Sequence, residues 1–168
     1  MLEWEESMSK APYPRLEHLN FRLDVLSALA KGVASDLYEA ECGVTLRDLR
    51  VLRFVDMQPG ISLGPLIVLT YLEKTLVSKL VTALAKRGLL VRSTGTEDAR
   101  VINLHLTRKG KAIVSKCDKI GKRFDEQLMS VLSLEEKQML FHCIAKLTEH
   151  VEEGGEWTQP QTSRKHTA

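Results

Sequence analysis

Glu73-Lys74-Thr75-Leu76-Val77-Ser78-Lys79-Leu80-Val81-Thr82-Ala83-Leu84-Ala85-Lys86-Arg87-Gly88 divides into two faces when it is read at helical spacing. Leu76, Val77, Leu80 and Leu84 form an apolar stripe. Thr75, Ser78, Lys79, Thr82 and Lys86 form a second face of short hydroxyls and lysines with no acid. Gly88 is placed to end the helix, because glycine adopts the left-handed conformation of a helix stop at little cost. A helix that buries one side and offers the other to a polyanion has this pattern. An ordinary surface helix shares it, so the flanking sequence has to decide.

Immediately downstream, Leu89-Leu90-Val91 reads as a short apolar strand. Thr94-Gly95-Thr96-Glu97-Asp98 is a cluster of turn formers, and over 101–106 Ile102, Leu104 and Leu106 alternate with Val101, Asn103 and His105. Together these make a hairpin that follows a basic helix. Upstream, Ser62 is placed to cap a helix over 62–70, with Pro65 in its first turn. A short turn at Tyr71 separates that helix from the basic one, which makes a helix-turn-helix candidate followed by a wing.

Further out, Thr45 and Asp48 form a capping-box pattern for a helix whose buried side is Leu46, Leu49, Val51, Leu52 and Val55. Gln58-Pro59-Gly60 breaks it. Over 15–41, Leu16, Leu19, Leu23, Leu26, Ala30, Val33 and Leu37 repeat at spacings of three and four, a seam to be buried against partner helices. Thr107 can cap a long helix over 108–130 lined by Ile113, Cys117, Ile120, Phe124 and Leu128. Ser133 with Glu136 caps a last helix, with Leu140, Ile144, Leu147 and Val151 expected inside. Residues 1–14 read as a flexible arm and 152–168 as a flexible tail. The expected organisation is a winged helix-turn-helix over 43–107, flanked by dimerisation helices over 15–42 and 108–151. The fold class is mainly α with a small β wing.

The net charge of +2 conceals an asymmetry. Residues 61–111 hold nine lysines and arginines against three acids, a balance of +6, so the remainder stands at −4. A basic block in a mildly acidic chain is the electrostatic footprint of a nucleic-acid surface. No apolar run approaches the ~20 residues of a membrane span, and the acidic N-terminus lacks a signal-peptide core, so a cytoplasmic location is expected. Cys42, Cys117 and Cys143 form no disulfide framework. Cys117 and Cys143 stand in or beside apolar stripes, where packing is the expected role, while Cys42 at a helix end is open. The five histidines form no ligand set, and there is no nucleophile–base arrangement or phosphate loop. Neither a metal, a cofactor nor an enzyme activity is expected.

Leu72 through Val81, the Leu84-to-Leu90 exit, Asp98-Ala99-Arg100, and Leu104-His105-Leu106-Thr107-Arg108-Lys109-Gly110 together resemble the multiple-antibiotic-resistance regulator (MarR) family. The resemblance covers about residues 15–150. It implies a homodimeric bacterial or archaeal winged-helix regulator, usually a repressor, acting on a pseudo-palindromic operator in double-stranded DNA. The chain departs from the family at Leu63-Gly64-Pro65-Leu66-Ile67-Val68-Leu69, apolar where a polar helix is usual, and at Tyr71, where the turn usually has glycine.

With the basic helix in the major groove, Thr75, Ser78, Lys79 and Thr82 are the residues placed to reach base edges or phosphates. Arg92 on the wing, and Arg108 and Lys109 at the next helix, are expected on phosphates. Arg100 has two roles open, entry into the minor groove or pairing with Asp98; the resemblance makes Asp98 the structural residue of the wing. The family often responds to small aromatic carboxylates or phenols, and Arg22 and Arg53 are the candidate anchors for such an effector. The rival readings are a protein-interaction module docking through the apolar 63–69 helix, and a thiol-based redox-sensing regulator.

Overall fold

The structure, a computed structural model, describes residues 18–94 and 102–154. The element order is α1 (Leu19–Cys42), α2 (Leu46–Met57), β1 (Ile61–Ser62), α3 (Leu63–Thr70), α4 (Lys74–Lys86), β2 (Leu90–Thr94), β3 (Ile102–Leu106), α5 (Arg108–Leu128) and α6 (Leu134–Glu152). Leu16, the expected arm over 1–14 and the tail beyond Gly154 lie outside the described residues. The chain divides within α5 into two compact units, Met1–Asp125 and Glu126–Ala168.

The starts of α2 and α5 are set by side-chain caps. The Thr45 hydroxyl accepts from the Asp48 amide at 3.1 Å, and the Asp48 carboxylate accepts from the Thr45 amide at 3.2 Å. Gly43, at φ +62, closes α1 just before this cap. Thr107 accepts from the Gly110 amide at 3.0 Å and opens α5. Ser62 occupies the position before α3, but its side chain makes no capping bond there. Instead Ile61 and Ser62 form a short strand, paired antiparallel with Leu104 and Asn103. The sheet order is therefore β1-β3-β2, one strand more than the expected hairpin.

The core of the first unit gathers Leu49, Val51, Leu52 and Val55 of α2, Leu66 of α3, Val77, Val81 and Leu84 of α4, and Leu89, Leu90 and Leu104 around the sheet. Each such fully buried aliphatic side chain contributes about 1.5–3 kcal/mol. On α4 the buried line is Val77, Val81 and Leu84, with Leu76 and Leu80 half-buried, so the apolar stripe is centred one position later than the spacing suggests. Ile102 does not share the burial of Leu104 and Leu106. It pairs with Thr94 at the outer end of the hairpin and is exposed.

The apolar 63–69 segment packs on most sides. Leu66 is fully buried, Leu63, Ile67 and Leu69 are half-buried against the core, and of its large side chains only Val68 is exposed. α1 contributes Ala34 and Tyr38 to the core and leaves Leu19, Leu23, Leu26, Leu29, Val33 and Leu37 exposed. The heptad-like seam is thus not part of the chain's own core. Along α5, Cys117 and Val114 are buried, Ile113, Ile120 and Phe124 are half-buried, and Leu128 is exposed.

In the second unit, Ser133 and Glu136 make the expected capping box, with bonds of 3.2 and 2.7 Å. No residue of α6 is buried. Leu140, Ile144, Leu147 and Val151 are exposed rather than inside, and so is Cys143; among the described residues of this unit none is buried against the stripe.

Candidate nucleic-acid interface

α4 ends in a Schellman motif. The Gly88 amide donates to Ala85 O at 2.9 Å, the Leu89 amide to Leu84 O at 3.0 Å, and Gly88 sits at φ +69. Leu84 and Leu89 are both buried, so the stop is locked by packing as well as by hydrogen bonds. With Val77, Val81 and Leu84 turned inward, Thr75, Lys79, Thr82 and Lys86 are left at the opposite side and Ser78 is half-buried at its edge.

Arg87, at the end of α4, reaches back to the start of α2. Its guanidinium pairs with the nearly buried Asp48 carboxylate at 2.9 Å and also donates to Gly43 O. Lys109 donates to Arg87 O at 3.3 Å, and the Thr107 hydroxyl donates to Gly88 O at 2.7 Å. The end of the helix is therefore fixed to the end of α1, the cap of α2 and the start of α5. At its other end, Arg50 donates to Thr70 O at 3.3 Å, while the buried Thr70 hydroxyl donates to Leu66 O at 2.8 Å. Tyr71 follows at φ +51, a conformation that favours glycine.

The wing rises beside the polar face. Arg92 pairs across the ladder with Leu104, which faces the core, so Arg92 projects toward α4. Its guanidinium donates to the Thr82 hydroxyl at 2.8 Å, and that hydroxyl donates to Ser78 O at 2.9 Å. Around this bridge lies a cleft of about 380 Å³, lined by Leu63, Ser78, Val81, Thr82, Arg92, Ile102 and Leu104. Arg108 and Lys109 are exposed at the start of α5. Asp98 and Arg100 lie outside the described residues.

The two candidate anion anchors are set apart from this face. Arg53 pairs with Asp118 of α5 at 2.9 Å and lines a cleft of about 340 Å³ with Lys31, Leu46, Leu49, Arg50, Phe54 and Met57. Arg22 is exposed on α1 and is not among the lining residues of this cleft. Where α1 ends against α5, Glu41 pairs with Lys116 at 3.3 Å and the Cys42 and Cys117 thiols are neighbours. Burial pushes the Cys117 thiol up to about 12, with hydrogen bonding to Cys42 adding to the shift. A thiol so rarely ionised is a poor redox nucleophile. Among the described residues no group of three or more metal-ligating side chains comes together, and no helix is long and apolar enough to cross a membrane.

The sequence model of the MarR family matches residues 43–101, from the glycine that closes α1 through β2 to the residue before β3. Over that segment the chain is similar to the MarR family. A relative named as a putative transcriptional regulatory protein for the hcr operon of Thauera aromatica is 29% identical over 105 residues, 62% of this chain. The match spans 63% of that relative, somewhat under two thirds of its length. Among solved structures, a point mutant of Escherichia coli MarR complexed with operator DNA aligns at TM-score 0.72 with 17% identity, over 82% of this chain and 99% of that one. Bordetella bronchiseptica BpsR, whose DNA binding is regulated by 6-hydroxynicotinic acid, aligns at 0.73 with 19% identity, over 83% and 99%. These structures share the fold.

Within the MarR-type segment, Tyr71 carries the positive φ that explains why a glycine is usual in the turn. Two of the supports of α4 were not visible in the sequence. Arg87 reads there as one more basic residue, and Asp48 as only a cap; 39 residues separate them. Arg50 gave no signal at all, since an arginine on an amphipathic helix is ordinarily solvated.

Proposed function

We propose that this chain is a homodimeric, sequence-specific DNA-binding regulator, acting as a repressor at a pseudo-palindromic operator and released by a small aromatic carboxylate or phenol. One observation supports the reading above others. Thr75, Lys79 and Thr82 lie on the polar face of α4, and Arg92 joins that face from the wing at 2.8 Å. A major groove admits one α-helix, and a wing beside it meets the flanking backbone. In this reading Thr75, Ser78 and Lys79 lie on base edges and phosphates. Arg92, Arg108 and Lys109 contact the backbone, Arg100 extends the wing contact, and Asp98 supports the wing turn.

The exposed leucines of α1 and the exposed stripe of α6 would be buried by the second subunit. A two-fold dimer then places its α4 helices in consecutive major grooves, with half-sites about 10 bp apart. The α2 cleft, with Lys31, Arg50 and Arg53 around an apolar floor of Leu46, Leu49, Phe54 and Met57, has the composition of a site for an aromatic anion. Occupancy there would alter the relative placement of the two α4 helices, and a small change suffices because both grooves must be met together.

The test is selection. The purified chain is mixed with random genomic fragments and retained DNA is sequenced. Enrichment of two-fold motifs with half-sites about 10 bp apart, and affinity that falls steeply with salt, are expected. Retention without sequence enrichment, or no salt dependence, overturns the assignment.

A further inference from the structure

The bond between Arg92 and Thr82 separates two roles that exposed side chains on one helix face would otherwise share. A threonine hydroxyl has one proton to give. At Thr82 that proton is committed to Ser78 O one turn back, at 2.9 Å, and the oxygen accepts from Arg92 at 2.8 Å. Thr82 consequently has no donor left for a base edge, although its position on α4 suggests a base contact. The guanidinium has five N–H donors. One is spent on Thr82, and the rest can close on an anion.

The geometry also accounts for the direction of Arg92. Its ladder partner Leu104 is buried, so the Arg92 side chain leaves the strand on the face turned toward α4. There it lies along the cleft walled by Leu63, Val81 and Ile102 rather than extending freely into solvent. A long arginine side chain loses rotamer freedom when it grips a phosphate. Holding it beforehand moves that loss into folding. The bond also ties strand β2 to α4 at their exposed edge, so the wing and the helix present their donors at a fixed spacing.

We infer that Thr82 is a positioning residue, which holds the Arg92 guanidinium in the angle between α4 and the wing to grip a single backbone phosphate, and which itself reads no base. The inference rests on the DNA-binding reading above. It makes Thr82 and Arg92 one functional unit rather than two independent contacts.

The experiment uses full-length chain and a duplex recovered by the selection described above. Thr82→Val keeps the shape and branching of the side chain and removes the hydroxyl. Thr82→Ser keeps the hydroxyl. Arg92→Met removes the guanidinium. Affinity is measured against salt for each variant and for Thr82→Val/Arg92→Met, on the selected duplex and on a set carrying one neutral methylphosphonate in place of each phosphate in turn. Arg92→Met is expected to lose about tenfold in affinity and to lower the salt slope by about one. Thr82→Val should lose part of the same factor, and Thr82→Ser should restore it. In the Arg92→Met background Thr82→Val should change nothing further. One methylphosphonate position that weakens the wild type should have no effect on Arg92→Met and a reduced effect on Thr82→Val. Base preference at every operator position should be the same for Thr82→Val as for wild type, and all variants should melt at the wild-type temperature. Independent, multiplying losses for Thr82→Val and Arg92→Met overturn the inference, as does a base preference altered by Thr82→Val. If the wild-type chain retains no duplex in the selection, the DNA-binding reading itself falls, and that outcome is distinct from either of these.

Discussion

Gly110 shows at the scale of one residue why the run from Leu104 to Gly110 ends as it does. A Cβ built there would lie 2.2 Å from Leu89 O, a backbone atom that also accepts from the Thr107 amide at 3.0 Å. Nothing flexible can yield, so Gly110→Ala is expected to cost more than ~2 kcal/mol in urea unfolding. Gly121 provides the contrast: its added Cβ would meet the end of the Tyr38 side chain, at 2.7 Å, and a small rotation relieves that. Gly121→Ala should cost less than Gly110→Ala, and the reverse order would contradict the packing described. A second residue sets an alkaline limit. The folded state keeps the Cys117 proton up to about 12, whereas the unfolded thiol gives it up near 9.0. The unfolded chain therefore binds fewer protons in that window, and stability is full below pH 9 and falls as pH rises through it. Urea midpoints at about pH 8, 9 and 10 should show the fall in wild type, with a slope below the one-proton limit of about 1.4 kcal/mol per pH unit, and no such slope from this group in Cys117→Ala.

At the scale of the element, caps and stops could be read from the sequence because their partners are close in the chain. Thr45 with Asp48, Ser133 with Glu136, and Gly88 after a periodic apolar run all depend on spacings of three or four residues. Gly88 lies at φ +69 with open space around its Cα, so Gly88→Ala meets backbone strain and no clash. It should cost about 1 kcal/mol and loosen the end of α4, seen as faster amide exchange at Leu89 without loss of the core. What the chain pairs over long distances was hidden. Ile61–Ser62 is too short to show an alternation, and its partners Leu104 and Asn103 lie about forty residues away. Ser62 consequently looked like a cap and is a strand end. The same holds for Arg87 and Asp48, where a salt bridge joins two residues that local pattern assigns to other tasks. Thr82 was legible as part of the candidate interface, but the bond that commits its oxygen depends on the wing folding back onto α4.

At the scale of the molecule, the leucine seam of α1 was legible as a stripe, yet its partner was not, since periodicity shows that a face is apolar and not what covers it. Leu23, Leu26 and Val33 are exposed on the single chain. Under the dimer reading, Leu23→Asp would place an unpaired charge in a buried seam. Light scattering at micromolar concentration is expected to give a dimer for wild type and a monomer for Leu23→Asp. An unaltered mass for the variant, or a monomeric wild type, would refute the seam assignment. Under the same dimer reading, the exposed face of α1 has a consequence for dosage. A regulator that assembles through such a seam is counted by the cell in pairs. Where chains are scarcer than the dissociation constant of the pair, the concentration of assembled protein follows the square of supply, so halving synthesis lowers the occupancy of an operator far from saturation about fourfold. A promoter under its control would then respond to the number of copies of the regulator more sharply than in proportion.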